Sequence, residues 1–285
     1  MSDPLILVTN DDGVEAPGLW AAVRALLPLG EVLVAAPSRQ WSGASRSLGE
    51  GTTGAMTESM REIDGCSVRA MAFDLPPSRL VDNAVLEWAP RRPNLIVSGI
   101  NWGTNLGDDI GVSGTVGAAL QCALLGIPAL AMSLDIGNTW RTVPEGYADY
   151  SVAAAFTHVF ASRWLKAELP GDIDVLNVNV PQTATPETPW RLTRMSRARY
   201  HVPQPRQGED RRGSMRHHIL HDYSHAEPDS DIWAVAVERI VSVTPLSFDM
   251  TSRVDLGQVD MLLRRNGHGA QTQVQEPAVA RKECL

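Results

Sequence analysis

Paired cysteines, long apolar runs and an excess of positive charge are all missing from this 285-residue chain. Its three cysteines, Cys66, Cys122 and Cys284, are odd in number, widely spaced and outside any CxxC pair, which argues against both a disulfide framework and a zinc site. The net charge of −8 argues against bulk attraction to nucleic acid or to an anionic membrane, so an anionic ligand must be met by a local device. The chain reaches a strand-like run by Leu5 without a basic, long-apolar leader, and no later run is long enough to cross a bilayer. These absences predict a cytoplasmic protein with no membrane and no nucleic acid duplex among its partners. Internal repeats, GxxxxGK[ST] and a strand-linked GxGxxG are absent as well, which removes the nucleoside triphosphate and dinucleotide fingerprints.

What remains is 44% hydrophobic, enough for a sizeable core in one large domain or two modest ones. Leu5 to Val8 is a continuous apolar run, as in a strand covered on both faces. Pro17, Leu19, Trp20, Val23, Leu26 and Leu27 then recur at helical spacing, and Val32 to Ala35 is the next strand. The unit repeats as Leu95 to Val97, a Gly-rich loop, a helix from about Ser113 to Leu125, and Ala129 to Met132. Alternating strands and helices predict a parallel α/β sheet. A longer helix is expected over about 144–169, with Tyr147, Tyr150, Phe156, Phe160 and Trp164 on its apolar side, then a strand at 175–180. From about Pro181 to Asp231 periodicity is lost among prolines, arginines and histidines, so that stretch reads as an extended arm. The β-formers of 232–246 suggest two strands, Val254 to Leu263 a last helix, and 264–285 a poorly ordered tail.

In open parallel sheets ligands bind beyond the carboxyl ends of the strands. "ILVTNDDG" ends its apolar run in Asn10, Asp11, Asp12 and Gly13. Turn chemistry accounts for Asn, Asp and Gly singly. Adjacent carboxylates repel, however, and each raises the other's pKa unless something positive intervenes. The loops after the neighbouring strands add Ser38, Arg39, Gln40, Trp41 and Ser42 on one side and Ser98, Asn101 and Asn105 on the other. Two carboxylates with Ser and Asn oxygens, and no His or Cys, suit one hard divalent cation, Mg²⁺ or Mn²⁺. In "GDDIGVSGTVGAAL", Ser113, Gly114 and Thr115 stand where a helix begins; they serve either as an ordinary N-cap or as a phosphate site facing the helix dipole. A cation beside a phosphate site predicts phosphomonoester hydrolysis.

Six stretches, "ILVTNDDG", "PSRQWSG", "SGIN", "GDDIGVSGTVGAALQCALLGIPALAMS", "LNVNVP" and "SVTPL", occur in this order, and together the chain resembles the SurE family of metal-dependent nucleotidases. The resemblance covers residue 5 to about residue 263. It implies metal ligands at Asp11, Asp12, Ser42 and Asn101, with Asp11 and Asp12 catalytic, and phosphate contacts at Asn105, Ser113, Gly114 and Thr115. It also implies a Rossmann-like α/β fold, a mostly parallel sheet with helices on both faces, and a C-terminal arm exchanged between subunits, which would make 1–263 one domain with an oligomerisation arm at about 181–231, assembled as a homodimer or homotetramer. The implied activity is hydrolysis of nucleoside monophosphates. A divergent phosphatase acting on a phosphorylated secondary metabolite and a catalytically silent relative that binds metal or nucleotide are the alternatives.

Departures from the family pattern fall on the substrate side. Residues 73–84 read "FDLPPSRLVDNA", Val112 stands where tyrosine is common, and Arg253 occupies the place of a histidine proposed to assist catalysis. Arg253 stays protonated and cannot act as a general acid near neutral pH, although it can grip phosphate oxygens. Trp41 and Trp102 flank the expected ligands and are either packing residues or platforms for a base. His217, His218, His221 and His225 lack the carboxylate spacing of a metal site and read as solvated or interface residues, and Arg191, Arg194, Arg197 and Arg199 form either a solvated or inter-subunit face or a basic rim for an anionic substrate.

Overall fold

The computed structural model describes residues 3–49, 56–137, 148–167, 170–204, 216–220 and 222–265, in two compact units, Met1–Phe248 and Asp249–Leu285. The first unit is built on a nine-stranded sheet. Its strands are β1 (Leu5–Thr9), β2 (Glu31–Pro37), β3 (Thr57–Ile63), β4 (Cys66–Phe73), β5 (Leu95–Trp102), β6 (Ala129–Leu134), β7 (Val175–Val180), β8 (Trp190–Leu192) and β11 (Val241–Leu246). They lie in the order β3-β4-β2-β1-β5-β6-β7-β11-β8. All neighbours are parallel except β3 with β4 and β7 with β11. From β1 the chain crosses to β2 on one side and later to β5 on the other, so the topological switch point, where such sheets open a crevice, lies between β1 and β5.

Every residue of β1 is buried, because both faces of the sheet are covered. Helices α1 (Pro17–Leu26) and α4 (Ser151–Trp164) pack on the face carrying Ile6 and Val8. Helices α2 (Pro77–Asn83), which runs on as a wide turn to Trp88, and α3 (Gly114–Leu124) pack on the face carrying Leu5 and Leu7. Prolines open α1 and α2 at positions where their missing N–H is harmless. Two close approaches require glycine. A Cβ on Gly18 would stand 2.1 Å from the Ile100 carbonyl, and one on Gly99 (φ +126°) 2.2 Å from that of Met132. Gly99→Ala is therefore expected to lower stability by about 2–3 kcal/mol, read as a drop in the thermal midpoint.

Several expectations are corrected. The helix expected over 144–169 begins at Ser151, because the Asp149 carboxylate caps the Ser151 N–H at 2.9 Å and Ala148–Tyr150 are non-helical; Tyr147 lies outside the described residues. The stretch 232–246 holds one strand, not two. Its first half is a helical turn over Trp233–Val237, started by the Ser230 hydroxyl accepting from the Trp233 N–H, and it buries Ala234, Val235 and Ala236. The hairpin β3–β4 was not anticipated; Asp64-Gly65 forms its two-residue turn, both at positive φ. Within the expected arm, β8 joins the main sheet and β9 (His201–Gln204) pairs with β10 (Arg216–Ile219). Helix α5 (Leu256–Arg265) takes in Arg264 and Arg265, which were assigned to the tail; the rest of that tail lies outside the described residues.

Candidate active site

At the carboxyl end of β1 the Asn10 side chain closes its own turn, donating to the Gly13 carbonyl at 2.9 Å and accepting the Gly13 N–H at 3.2 Å. Turn chemistry thus accounts for Asn10 and leaves the two aspartates unexplained by it. Asp11 is only 3% exposed. Its Oδ1 accepts the Thr115 hydroxyl at 2.5 Å, and the Thr115 backbone N–H also donates to the carboxylate. A Cβ on Gly114 would lie 2.6 Å from Asp11 Oδ2, so the start of α3 meets this carboxylate through a glycine. The positive end of the helix dipole is directed at Asp11.

Asp12, partly buried, accepts the Trp102 N–H at 3.1 Å and an amide N–H of Gln40 at 3.4 Å. The loop after β2 is drawn in by the Trp41 N–H, which donates to the Asp11 carbonyl at 2.7 Å. Burial, with the neighbouring Asp12 charge, pushes the Asp11 carboxyl from 3.8 up to about 7, and burial raises Asp12 as well. Two carboxylates in one enclosed place, each reluctant to ionise, define a site that wants a cation. Among the described residues no three His, Cys, Asp or Glu side chains gather into a metal cluster, so further ligands here would be neutral oxygens. Asn101 fits this role. Its amide N–H donates to the Gly103 carbonyl at 2.8 Å, which turns the side-chain oxygen to the other side. Ser42 is exposed on the loop next to Trp41.

The phosphate-site residues divide. The Ser113 hydroxyl accepts the Val116 N–H at 3.0 Å and caps α3, and Thr115 is committed to Asp11. Asn105 is buried; its amide donates to the Ser133 hydroxyl at 2.8 Å, and its backbone is gripped by Asn177 and Asn179 of β7. The Arg39 guanidinium lies 4.1 Å from the centre of the Trp41 ring and is held by Asp74 at 2.7 Å, which brings the divergent 73–84 segment to the site. Trp102 contributes its backbone. Arg253 is exposed and belongs to the Asp249–Leu285 unit. Arg191, Arg194 and Arg199 pair with Glu238, Asp229 and Asp108 at 2.9, 2.8 and 3.6 Å. The side chains of His217 and His218, and all of His221, lie outside the described residues. Sequence reasoning set Gln40 on a loop at the site without giving it a role, and passed over Asp109, His201 and Asp231.

A doubly wound α/β sheet with paired carboxylates at its switch point, facing the amino end of a helix, defines a class of proteins that manage anionic ligands with a cation. The profile of the family described as Survival protein SurE matches residues 6–202. A protein named 5'-nucleotidase SurE from Thermococcus gammatolerans is 40% identical over 265 residues, covering 90% of this chain and 95% of its own. The protein of the same name from Thermococcus kodakarensis is 40% identical over 261 residues, covering 90% and 98%. The crystal structure of the Sure protein from Aquifex aeolicus aligns with a TM-score of 0.70 at 32% identity, over 91% of this chain and all of that one. The chain belongs to the SurE family.

Proposed function

We propose that this protein is a divalent-metal-dependent phosphomonoesterase that hydrolyses nucleoside monophosphates to nucleoside and inorganic phosphate. The observation that carries the proposal is the enclosed Asp11–Asp12 pair at the β1–β5 switch point, both carboxyls raised. Relatives named 5'-nucleotidase SurE support the substrate class. Asp11, Asp12, Asn101 and Ser42 would hold the cation, Mg²⁺ or Mn²⁺, all through oxygen. When bound, such an ion polarises the phosphate ester and acidifies a water.

The chain's own residues do the rest. Asp11, enclosed by Gly114 and Thr115, serves as a fixed ligand. Asp12, the less buried of the two, is the carboxylate that meets the attacking water or the phosphorus itself. The start of α3 at Ser113–Thr115 orients the phosphate, with Asn105 fixing the loop that leads to it. The Trp41 ring, stiffened by Arg39 on its face, offers a platform for the group beyond the phosphate, and Trp102 completes the proposed contacts.

We place the protein in the cytoplasm; among the described residues no helix is long and apolar enough to cross a membrane. We also assign it a homodimer or homotetramer, with the 181–231 arm and α5 as assembly elements. On α5, Leu256, Met261, Leu262 and Leu263 are exposed, which gives that helix an apolar surface to cover. Light scattering tests the assembly.

The test of function is phosphate release from a panel of nucleoside monophosphates and unrelated phosphomonoesters, with Mg²⁺, Mn²⁺ or chelator. Metal-dependent release from nucleotides is expected. Release confined to a non-nucleotide ester would redirect the assignment to a divergent phosphatase, and binding without release would leave a silent relative.

A further inference from the structure

The loop from Thr104 to Ser113, which leads into the start of α3, is held at successive positions by the arm. Asp231 is fully buried, and its Oδ2 accepts the Gly107 N–H at 2.9 Å. Its Oδ1 accepts the N–H groups of Ser196 and Ile232 at 2.9 and 2.8 Å. The backbone from Ser196 to His201 then runs beside the loop. A Cβ on Gly107 would stand 2.7 Å from the Ala198 carbonyl, and His201 Nδ1 lies 2.6 Å from Asp109 Oδ2. Beneath this contact Leu106 shares a small core with Tyr200, Ile232 and Val235.

The position of this loop decides where α3 begins. The Asp109 carbonyl accepts the N–H groups of Val112 and Ser113 at 3.1 and 3.0 Å, so the turn over Gly107–Gly111 carries the helix cap with it. A buried carboxylate is expensive, and no arginine, lysine or histidine among the described residues pairs with Asp231. Its partners are backbone N–H groups of three separate positions. An apolar side chain of similar volume would fill the space and leave those donors unmet. Packing therefore does not account for the charge, whereas tying the arm to the loop does.

We propose that Asp231 is a positioning residue for phosphate binding: through Gly107 it fixes the Gly107–Gly111 turn, and with it the Ser113–Thr115 helix start, in the geometry that receives phosphate. The proposal rests on the reading of Ser113–Thr115 as the phosphate site. A grip on phosphate acts in the ground state and the transition state alike, so loosening it raises KM and spares kcat. Of the proposed cation ligands, Asp12 and Asn101 bond to the Trp102 and Gly103 backbone, whereas Asp11 meets the helix start through Thr115 and Gly114, so a loosened start reaches phosphate directly and the cation through one ligand only.

The experiment uses the full chain, wild type beside Asp231→Asn and His201→Ala. Mn²⁺ affinity is measured by electron paramagnetic resonance, the affinity of the Mn²⁺-loaded protein for inorganic phosphate by calorimetry, and KM and kcat on the best nucleotide. Asp231→Asn turns one acceptor into a donor facing an N–H. It is expected to weaken phosphate and raise KM about tenfold, with kcat and Mn²⁺ affinity within about threefold of wild type. His201→Ala, at a part-exposed residue, is expected to move phosphate affinity the same way by about threefold. Wild-type phosphate affinity in folded Asp231→Asn, equal weakening of Mn²⁺ and phosphate, or a loss in kcat alone would overturn the proposal. Should Asp231→Asn fail to fold, unchanged phosphate affinity in His201→Ala overturns it. Wild-type protein that binds phosphate but releases none from any nucleotide defeats the nucleotidase reading alone, and the binding series still decides Asp231; wild-type protein that binds no phosphate defeats both.

Discussion

Asp12→Asn is expected to reduce metal-dependent phosphate release by about 10³-fold or more while shifting the unfolding midpoint by only a few degrees. The reasoning separates what the side chain does for the fold from what its charge does for the site. For the fold, an asparagine oxygen still accepts the Trp102 N–H, now met at 3.1 Å, and the contact with Gln40 survives an amide reorientation. Removing one of two like charges also relieves Asp11 of part of what raises its carboxyl. The metal-free variant should thus be at least as stable as wild type. For the site, the proposed cation loses one of its two anionic ligands, and the attacking group loses its nearest carboxylate. Initial rates with Mn²⁺ or Mg²⁺ on the best nucleotide, alongside thermal unfolding, give both numbers. Turnover within about tenfold of wild type would remove Asp12 from the machinery.

Most of the sheet was legible because buried parallel strands are continuous apolar runs, and "LILV", "EVLVAAP", "LIVS" and "VLNVNV" each sit between turn residues. What escaped is physically different. β3 is an edge strand, polar on nearly every residue, so it carries no apolar run, and only its Asp64-Gly65 turn announced a hairpin. The stretch at 232–237 is rich in valine, isoleucine and tryptophan, yet it forms a helical turn. The Ser230 hydroxyl cap and a pocket beside Leu106 and Tyr200, both set by tertiary contacts, outweigh its β-propensity. For α4 the apolar spacing ran past the true start, because Ala148–Tyr150 are non-helical and the Asp149 carboxylate accepts the Ser151 N–H at the helix entry.

Asp11 and Asp12 stood out because adjacent carboxylates after a buried strand need a reason. The division of labour around them did not stand out. Thr115 and Gly114, placed beside a phosphate by their position at a helix start, meet Asp11 itself through a hydroxyl, an N–H and the space left by a missing Cβ. Asn105, placed at the same phosphate, has its backbone clasped by two asparagines that lie 72 and 74 residues further along the chain. Asp231 is farther still, 124 residues from Gly107, and a lone Ser-Asp before an apolar stretch reads as a cap and nothing more. Contacts between residues this distant leave no local pattern, so a sequence names the ends of strands well and the props behind them poorly.

The metal-free protein is expected to lose stability as pH rises from about 5 to about 7, and a divalent cation is expected to restore it, more at pH 7.5 than at pH 5. The sign follows from Asp11, whose carboxyl rises from 3.8 to about 7 on folding. Between those values the folded chain holds a proton that the unfolded chain has released, so stability falls as pH climbs through the interval. Over the part of that interval above pH 5 the loss is a few kcal/mol. Carboxylates lowered on folding, such as Asp149 and Glu227, act in the opposite sense, but their contributions are lost only as pH falls below the ordinary carboxylate range, outside this window. A cation on Asp11 and Asp12 favours the ionised pair, returns both pKa values downward and removes the penalty. Midpoints measured from pH 5 to 7.5, with chelator and with Mg²⁺ or Mn²⁺, should therefore diverge as pH rises. Asp11→Asn supplies the control, since it removes this one ionisable carboxyl and its midpoint should lose this part of the slope. An equal cation effect at pH 5 and pH 7.5, or an undiminished slope in Asp11→Asn, would show that the buried pair is not where the cation and the proton compete. If the two do compete there, the charge repulsion built into this strand end is relieved by the ion that the proposed chemistry requires, and the apoprotein is strained where the holoprotein is active.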